Sequence, residues 1–153
     1  MPTIGENAPE FSLPSTDGQE KSLKDYAGKT LVLFFYPKDN TSGCTKEAVG
    51  FSEQQEAFDA LGAVIVGVSK DGLKSHHKFI EKHGLKVELL SDEAGTMCED
   101  FDVWKEKSMY GKTYMGIERS TFAINPNGKI THEWRKVRVP GHVEAVLEAL
   151  KVG

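Results

Sequence analysis

The amino-acid sequence predicts an α/β sandwich in which helices flank a mixed central β-sheet. Two short segments, Thr30–Tyr36 (TLVLFFY) and Ala63–Val68 (AVIVGV), are almost entirely apolar and rich in β-formers. Such segments are typical of strands that are buried on both faces of a sheet. Helical periodicity follows each of them, and a hairpin signal comes later in the chain. This order favours a sheet that combines parallel and antiparallel strands.

The other elements are predicted from local patterns. After the first strand, a helix opens near Thr41–Cys44, and apolar side chains then recur close to the 3.6-residue helical period. They are Ala48, Phe51, Phe58 and Leu61. The remaining expected elements are a leading hairpin around Asp17-Gly18, a polar helix Leu73–His83 ended by Gly84, a short strand Val87–Leu90, a helix through Met97, Phe101 and Trp104, a hairpin turned by Asn125-Pro126-Asn127-Gly128, and a last helix from Gly141.

Length and composition limit the possible classes of protein. With 39% hydrophobic and 27% charged residues, the chain 1–153 is expected to form one soluble domain. The formal net charge of −4 argues against a nucleic-acid partner, since such proteins usually carry a basic surplus. No apolar segment approaches the ~20 residues that span a bilayer, and no secretory signal is visible, so no membrane partner is expected.

The chain contains two cysteines, Cys44 and Cys98. Two cysteines form no disulfide framework and are too few for a zinc cluster, so a reducing, cytoplasmic location is expected. In such a location a cysteine is either a small buried hydrophobic residue or a working thiol. The five histidines show no metal-ligand spacing, so no metal site is predicted. His76, His77 and His83 are interpreted as solvated residues of the polar helix.

Cys44 differs from an ordinary packing cysteine in its position. It lies at the opening turn of a helix, past the carboxyl end of the first strand, where the active crevice of an α/β sheet is found. Unpaired backbone N–H groups and the positive end of the helix dipole both favour a thiolate there. Thr41 is expected to cap this turn, and Gly43 lets the backbone approach a ligand closely. Glu47 shares the helix face of Cys44 and can hold a cation from elsewhere in the chain.

The segment YPKDNTSGCTKE resembles the active-site motif of peroxiredoxins, Pro-x-x-x-Thr-x-x-Cys, which is spelled here by Pro37, Thr41 and Cys44. Its flanking residues are similar to those of the bacterioferritin-comigratory, or peroxiredoxin Q, subgroup. The similarity covers nearly the whole chain, with GENAPEFSL near the start, LLSDEAG in the middle, YGKTYMGIERSTFAI later and WRKVRVPGHVEAVLEAL near the end. The resemblance implies a single thioredoxin-like domain and a thiol peroxidase that needs no cofactor.

The resemblance also implies roles for single residues. Cys44 is then the peroxidatic cysteine, whose thiolate attacks one peroxide oxygen and becomes a sulfenic acid. Thr41 and Arg119, the latter from the segment IERSTF, bind the peroxide, and Pro37 shields the thiolate. Without the resemblance, Arg119 is interpreted as an exposed strand cation. The implied substrates are hydrogen peroxide and organic hydroperoxides, and the implied reductant is thioredoxin, glutaredoxin or a small thiol.

The resolving cysteine of many members of this subgroup is missing from the sequence. It lies five residues after the peroxidatic cysteine or in the next helix, where this chain has Val49 and Ile80. Cys98 is either a thiol packed near the core or a resolving cysteine that reaches Cys44 after local unwinding. We favour a 1-Cys cycle, in which an external thiol attacks the sulfenic acid, over a 2-Cys cycle through Cys98.

Other functions of a reactive cysteine fit the sequence less well. A disulfide oxidoreductase requires Cys-x-x-Cys, but the third residue after Cys44 is Glu47. A cysteine hydrolase requires a histidine base paired with Cys44, and none is marked. A non-catalytic peroxide sensor or holdase, oxidised reversibly at Cys44, stays open, and catalytic turnover separates it from an enzyme. The subgroup resemblance favours a monomer, or a weak dimer.

Overall fold

Nine β-strands and five α-helices are present in residues 3–152, which the computed structural model describes. The strands are β1 (Ser12–Pro14), β2 (Glu20–Ser22), β3 (Thr30–Phe35), β4 (Ala63–Ser69), β5 (Glu88–Ser91), β6 (Trp104–Met109), β7 (Lys112–Ile117), β8 (Ser120–Ile124) and β9 (Ile130–Trp134). The helices are α1 (Ser42–Glu53), α2 (Gln55–Ala60), α3 (Leu73–His83), α4 (Met97–Asp100) and α5 (His142–Val152). No helix in this part of the chain is long and apolar enough to cross a lipid bilayer.

Five strands form the central sheet, in the order β5-β4-β3-β8-β9. The first three strands of this order are parallel, whereas β8 is antiparallel to β3 and β9 is antiparallel to β8. The predicted mixed sheet is therefore confirmed. Helices α1 and α2 connect β3 to β4, and α3 connects β4 to β5, because parallel neighbours need a crossover. The apolar strand β3 lies at the centre, where both of its faces are covered.

The sheet separates two hydrophobic clusters, one on each face. Side chains alternate between the faces along a strand, so Leu33 of β3 belongs to one cluster and its neighbour Phe34 to the other. The Leu33 cluster contains Cys98 of α4. The Phe34 cluster contains Cys44 of α1. The two cysteines of the chain therefore pack on opposite faces of the central sheet.

Most of the predicted elements are confirmed. The leading hairpin is β1-β2, and the polar helix is α3, which ends at Gly84 in the left-handed conformation with φ of 60°. The single helix predicted after β3 divides in two at Gln54. The prediction that Leu61 lies on the apolar face of this helix is wrong. Leu61 follows α2 and is 38% exposed, because the chain turns into β4 at Gly62, which has a φ of 72°.

The helix predicted through Met97, Phe101 and Trp104 is wrong beyond its first turn. Helix α4 ends at Asp100, and Asp102 has a φ of 59°, a left-handed conformation that cannot continue a right-handed helix. Trp104 instead begins β6, which pairs with β7 in a separate two-stranded antiparallel sheet.

The β6-β7 hairpin has the backbone conformation of a tight turn, but its two strands lack the sequence pattern that would predict them. Tyr110 and Gly111 both have positive φ, 53° and 77°, as a two-residue type I′ turn requires. However, the strands around this turn are mostly polar, so no alternation of apolar and polar residues marks them. The hairpin leads directly into Arg119 and the start of β8.

Candidate active site

The loop between β3 and α1 carries the chain to the carboxyl end of the sheet. Pro37 follows β3 and cannot continue its ladder, since proline has no amide hydrogen. Asn40 has a positive φ of 63°, and Thr41 returns to an extended conformation as the N-cap residue of α1. Cys44 is the third residue of α1 and is only 1% exposed.

The first turn of α1 presents unpaired amide groups around Cys44. The first hydrogen bond of the helix runs from the Thr45 amide to the Thr41 carbonyl, at 2.8 Å. The amides of Ser42, Gly43 and Cys44 precede this bond and have no acceptor within the helix. Their partial positive charges favour an anion at this point, whether a thiolate or a peroxide oxygen.

Arg119 lies directly before β8, beside the end of β3. Ser120 pairs with Phe35 in the register of these two strands, so the residue before Ser120 reaches the start of α1. The guanidinium of Arg119 bonds to two partners. Its Nη2 atom donates to Cys44 Sγ at 3.3 Å, and its Nη1 atom donates to Glu47 Oε1 at 2.7 Å. One arginine side chain therefore links the thiol to a buried carboxylate one helical turn away.

Gly43 leaves the space that this guanidinium needs. A Cβ atom at position 43 would lie 3.2 Å from Nη2 of Arg119, which is tighter than an ordinary van der Waals contact. The sequence predicts a close approach of a ligand at Gly43, and in the structure Arg119 makes that approach. A glycine here thus lets Arg119 lie over the first turn of α1 and reach Cys44.

Glu47 is fully buried, and only one of its carboxylate oxygens is hydrogen-bonded. Oε1 accepts from Arg119, whereas Oε2 has no hydrogen-bond partner among the residues described. His142 Nε2 lies 3.9 Å from Oε2 but bonds instead to the Thr121 hydroxyl at 2.8 Å. Burial raises the pKa of Glu47 to about 7, although the charge of Arg119 acts in the opposite direction. The Glu47 carboxyl is therefore partly protonated near neutral pH.

The other ionisable groups of the site leave a permanent cation beside the sulfur. Burial, together with the charge of Arg119, lowers the pKa of His142 to about 4, so its imidazole is neutral at pH 7. Burial also lowers the pKa of Arg119, but the negative charges of Glu47 and Cys44 outweigh it and raise the pKa overall. The protonated guanidinium therefore places a fixed positive charge within hydrogen-bond distance of Cys44 Sγ.

The raised pKa of Glu47 predicts a pH-dependent effect of the Glu47→Gln substitution. Between pH 4.5 and 7 the native protein keeps a proton on Glu47 that the unfolded chain releases, so this group lowers the free energy of unfolding as pH rises. The glutamine variant has no ionisable group at position 47, so its free energy of unfolding lacks this contribution to the pH dependence. We expect its free energy of unfolding, relative to the wild type, to increase by up to about 3 kcal/mol across this interval.

Urea unfolding at a series of pH values between 4 and 8 measures this difference. Glu53→Gln, an exposed acid on the same helix, is the matched control and should follow the wild type in parallel at every pH. Parallel curves for the wild type and Glu47→Gln would contradict the raised pKa.

Thr41 is exposed, and its hydroxyl points back along the loop. Oγ1 donates to the Lys38 carbonyl at 2.9 Å and makes no bond to the amides of α1, so the predicted side-chain cap is wrong. The hydroxyl hydrogen bonds to the nearer loop carbonyl instead, and the oxygen keeps its lone pairs as acceptors. Pro37 is also exposed, on the same loop.

Cys98 lies in a different environment from Cys44. It is fully buried in the Leu33 cluster, and its amide donates to Asp92 Oδ2 at 2.8 Å. Burial, followed by the negative charge of Asp92, raises the pKa of the Cys98 thiol well above its usual range. The structure therefore brings Arg119 and Glu47 to Cys44, but it does not bring Cys98 to them.

Several polar residues around the site were not predicted from the sequence. His142 of α5 lies beside Glu47 and bonds to Thr121 of β8. Lys107 of β6 is near enough to interact with Cys44 through its charge. These residues lie on three separate elements, and no short-range pattern connects them. The interpretation of His76 as solvated is wrong, because this residue is 0% exposed beneath the loop before α1.

The geometry defines a class of protein. A buried cysteine in the first turn of a helix, bonded to an arginine, is a nucleophile that is prepared for oxidation. Glu47 stands where a Cys-x-x-Cys oxidoreductase has its second thiol. The fold and the site are those of a redox enzyme that begins its reaction at one cysteine.

Comparison with known proteins identifies the family. Residues 4–133 match the AhpC/TSA family, and the chain belongs to this family. It is 51% identical to peroxiredoxin Bcp of Bacillus subtilis (strain 168). The alignment spans 148 residues, which are 97% of this chain and 94% of that relative. The structure of a PrxQ variant from Xylella fastidiosa has a TM-score of 0.94 and 42% identity, covering 99% of this chain and 97% of that one.

A second solved structure is that of the bacterioferritin comigratory protein of Xanthomonas campestris, studied for alkyl peroxide reduction with a trapped intermediate and ligand. It has a TM-score of 0.88 and 48% identity, covering 93% of this chain and 90% of that one. The chain is thus a peroxiredoxin of the bacterioferritin-comigratory, or Q, subgroup, and a thiol peroxidase that uses a peroxide substrate and a thiol reductant. The family and the thioredoxin-like fold implied by the sequence are confirmed.

Proposed function

We propose that the protein reduces hydrogen peroxide and organic hydroperoxides through a 1-Cys cycle centred on Cys44. The contact between Arg119 Nη2 and Cys44 Sγ, at 3.3 Å, is the observation that carries the proposal. The position of Cys98 on the opposite face of the sheet supports the 1-Cys form of the cycle. The alkyl peroxide reduction described for the Xanthomonas campestris protein supports organic hydroperoxides as substrates.

In the first half of the cycle, the Cys44 thiolate attacks the terminal oxygen of the hydroperoxide. The sulfur supplies an electron pair, an S–O bond forms and the O–O bond breaks. The departing oxygen takes up a proton and leaves as an alcohol, or as water when hydrogen peroxide is the substrate. Cys44 is thereby oxidised to a sulfenic acid that keeps the transferred hydroxyl group.

Arg119 stabilises the negative charge that moves during this step. Its Nη2 atom already donates to the sulfur, and the charge grows on the peroxide oxygens beside it. Preorganised donors of this kind contribute several kcal/mol to a transition state. Glu47 holds the Nη1 side of the guanidinium, so the donor at Nη2 stays directed towards Cys44. The unpaired amides of the first turn of α1 add further donors.

Thr41 and Pro37 orient and protect the reactants. The Thr41 hydroxyl gives its hydrogen to the Lys38 carbonyl, so its oxygen is left to accept a hydrogen bond from the peroxide O–H group. That bond orients the peroxide so that the sulfur and the two oxygens lie on one line, with the departing oxygen on the far side. An in-line displacement requires this alignment. Pro37 shields the thiolate from solvent on the loop side.

In the second half of the cycle, an external thiol reduces the sulfenic acid. It attacks the Cys44 sulfur, water leaves, and a mixed disulfide forms. A second thiol then attacks this disulfide and releases the Cys44 thiolate. Thioredoxin, glutaredoxin or a small thiol supplies these groups. Cys98 takes no part, because a disulfide needs Cα atoms within about 7 Å and the sheet separates the two cysteines. We place this cycle in a monomer, or a weak dimer, in the cytoplasm.

The Cys98→Ser substitution tests this cycle. We expect the variant to consume peroxide at the wild-type rate with thioredoxin and with dithiothreitol, because Cys98 is buried away from the site. The measurement is steady-state peroxide consumption over many equivalents, with circular dichroism as the check on folding. Loss of thioredoxin-dependent turnover, with oxidation of Cys44 intact, would assign Cys98 the resolving role. Reaction that stops after one equivalent in the wild type would indicate a sensor instead of an enzyme.

A further inference from the structure

The loop before α1 rests on a buried polar network that the proposed cycle does not use. Asp39 is its centre and is 7% exposed. Its Oδ1 atom accepts from the Tyr36 hydroxyl at 2.5 Å, and its Oδ2 atom accepts from the Ser75 hydroxyl at 2.8 Å. Oδ2 also lies 2.7 Å from Nδ1 of His76, and the Asp39 amide donates to Asp71 Oδ2 at 2.8 Å.

His76 connects this loop to the central sheet. Its Nε2 atom lies 2.8 Å from the Leu90 carbonyl of β5, which can only accept, so Nε2 carries a hydrogen. Its Nδ1 atom lies 2.7 Å from Asp39 Oδ2, which is within hydrogen-bond distance. With both nitrogens engaged and the residue 0% exposed, the ring is fixed between Asp39 and β5.

A second histidine of α3 holds the next residue of the loop. His83 lies two turns after His76, on the same side of the helix. Its Nε2 atom bonds to Asn40 Oδ1 at 2.8 Å. Asn40 has a φ of 63°, in the left-handed region that asparagine adopts more readily than most residues. Helix α3 therefore holds two successive loop residues, Asp39 and Asn40, immediately before Thr41.

These contacts describe a clamp better than a metal site. Ligand atoms of Asp39, Asp71 and His76 lie within 4.8 Å of one another. However, hydrogen bonds already engage the atoms of Asp39 and His76 that a metal ion would take. The Tyr36 and Ser75 hydroxyls each donate a hydrogen bond to the Asp39 carboxylate, so both of its oxygens already have a hydrogen-bond partner.

We propose that His76 is a positioning residue for the peroxidatic site. Through Asp39 it holds the loop in the conformation that presents the Thr41 oxygen to the peroxide and starts α1 at Ser42. It acts through Asp39 and makes no contact with the substrate. This role rests on the proposed function, because it concerns the orientation of a peroxide at Cys44. Without the clamp the loop shifts, and the peroxide loses its alignment with the sulfur.

The test compares His76→Gln with His77→Gln, the same substitution at the exposed neighbour on α3. The first measurement is the rate constant for oxidation of Cys44 by hydrogen peroxide in a single turnover, at a temperature where each protein is fully folded. The second is the rate of Cys44 alkylation by iodoacetamide, which needs a thiolate but no aligned peroxide. We expect His76→Gln to be oxidised roughly 10- to 100-fold more slowly. Alkylation should change far less, and His77→Gln should match the wild type in both.

A purely structural role gives a different result. It would lower the melting temperature of His76→Gln but leave the oxidation rate of the folded protein unchanged, and that outcome overturns the proposal. Equal losses of oxidation and alkylation would also overturn it. If His76→Gln does not fold, His83→Gln removes the outer contact of the clamp and should slow oxidation to a smaller extent. A wild type that reduces no peroxide would instead refute the proposed function.

Discussion

Replacing Cys44 with serine is expected to abolish peroxide reduction. A serine hydroxyl does not ionise near neutral pH, so no anion is available to attack the O–O bond, even with Arg119 in place. In other enzymes, loss of the covalent nucleophile lowers the rate by several orders of magnitude. We therefore expect peroxide consumption by Cys44→Ser to equal the uncatalysed rate. The measurement is peroxide consumption with thioredoxin and, separately, with dithiothreitol.

The matched control for this experiment is Cys98→Ser, the same chemical change at the other cysteine. Both positions are buried, so both variants report the cost of replacing a buried thiol with a hydroxyl. Thermal unfolding of each variant separates that cost from the catalytic effect. Turnover by Cys44→Ser above the uncatalysed rate would mean that another group carries the nucleophilic step.

The Arg119→Ala substitution should produce the next largest loss. It removes the donor to the Cys44 sulfur and also leaves Glu47 buried without its partner. Removal of a single preorganised donor typically costs about 10²–10³ in rate, and we expect a loss of this size in the oxidation of Cys44. Arg119→Lys keeps the charge but cannot bridge two partners with a planar fork, so an intermediate rate is expected. Stopped-flow measurement of Cys44 oxidation gives these rate constants.

Arg138→Ala is the control for the change in net charge. Arg138 is exposed, and its loss changes the charge of the protein by the same amount as the loss of Arg119. We expect its oxidation rate to match the wild type. Equal rates for Arg119→Ala and the wild type would show that the contact at 3.3 Å has no part in the reaction.

The parts of the fold that were predicted correctly are those with strong local signals. Strand β3 is apolar from Leu31 to Phe35, as its central position in the sheet requires, and α3 ends at Gly84 because glycine takes the left-handed conformation readily. The hairpin β6-β7 was missed because its exposed strands do not need the alternation that marks a half-buried strand. The helix predicted across Trp104 failed at Asp102, where one left-handed residue redirected the chain.

The residues of the candidate site also form two groups: those that a short sequence pattern predicts and those that only the tertiary structure brings together. Cys44 and Thr41 are close in sequence, so a motif and a helix start identify their position. Glu47 was predicted to hold a cation, but Arg119 lies 72 residues away from it and was assigned only through the family resemblance. His142 joins the site through the packing of α5, and nothing local predicts this contact.

The burial of His76 could not be predicted from the composition of its helix. Lysines and histidines make α3 polar overall, yet its buried residues are His76 and Phe79, which face the loop and the sheet. A buried histidine was possible there because Asp39 and the Leu90 carbonyl bond to both of its ring nitrogens. Asp39 lies in the loop before α1 and Leu90 lies in β5, so only the tertiary structure shows that both contact His76.

The measurement that tests the 1-Cys cycle most directly is the intact mass of the reduced protein after one equivalent of hydrogen peroxide, with and without a sulfenic-acid trap. We expect a trapped adduct on Cys44 and free Cys98, because the central sheet separates the two thiols. Loss of two hydrogens without an adduct, together with a peptide that links Cys44 to Cys98, would contradict the cycle proposed here.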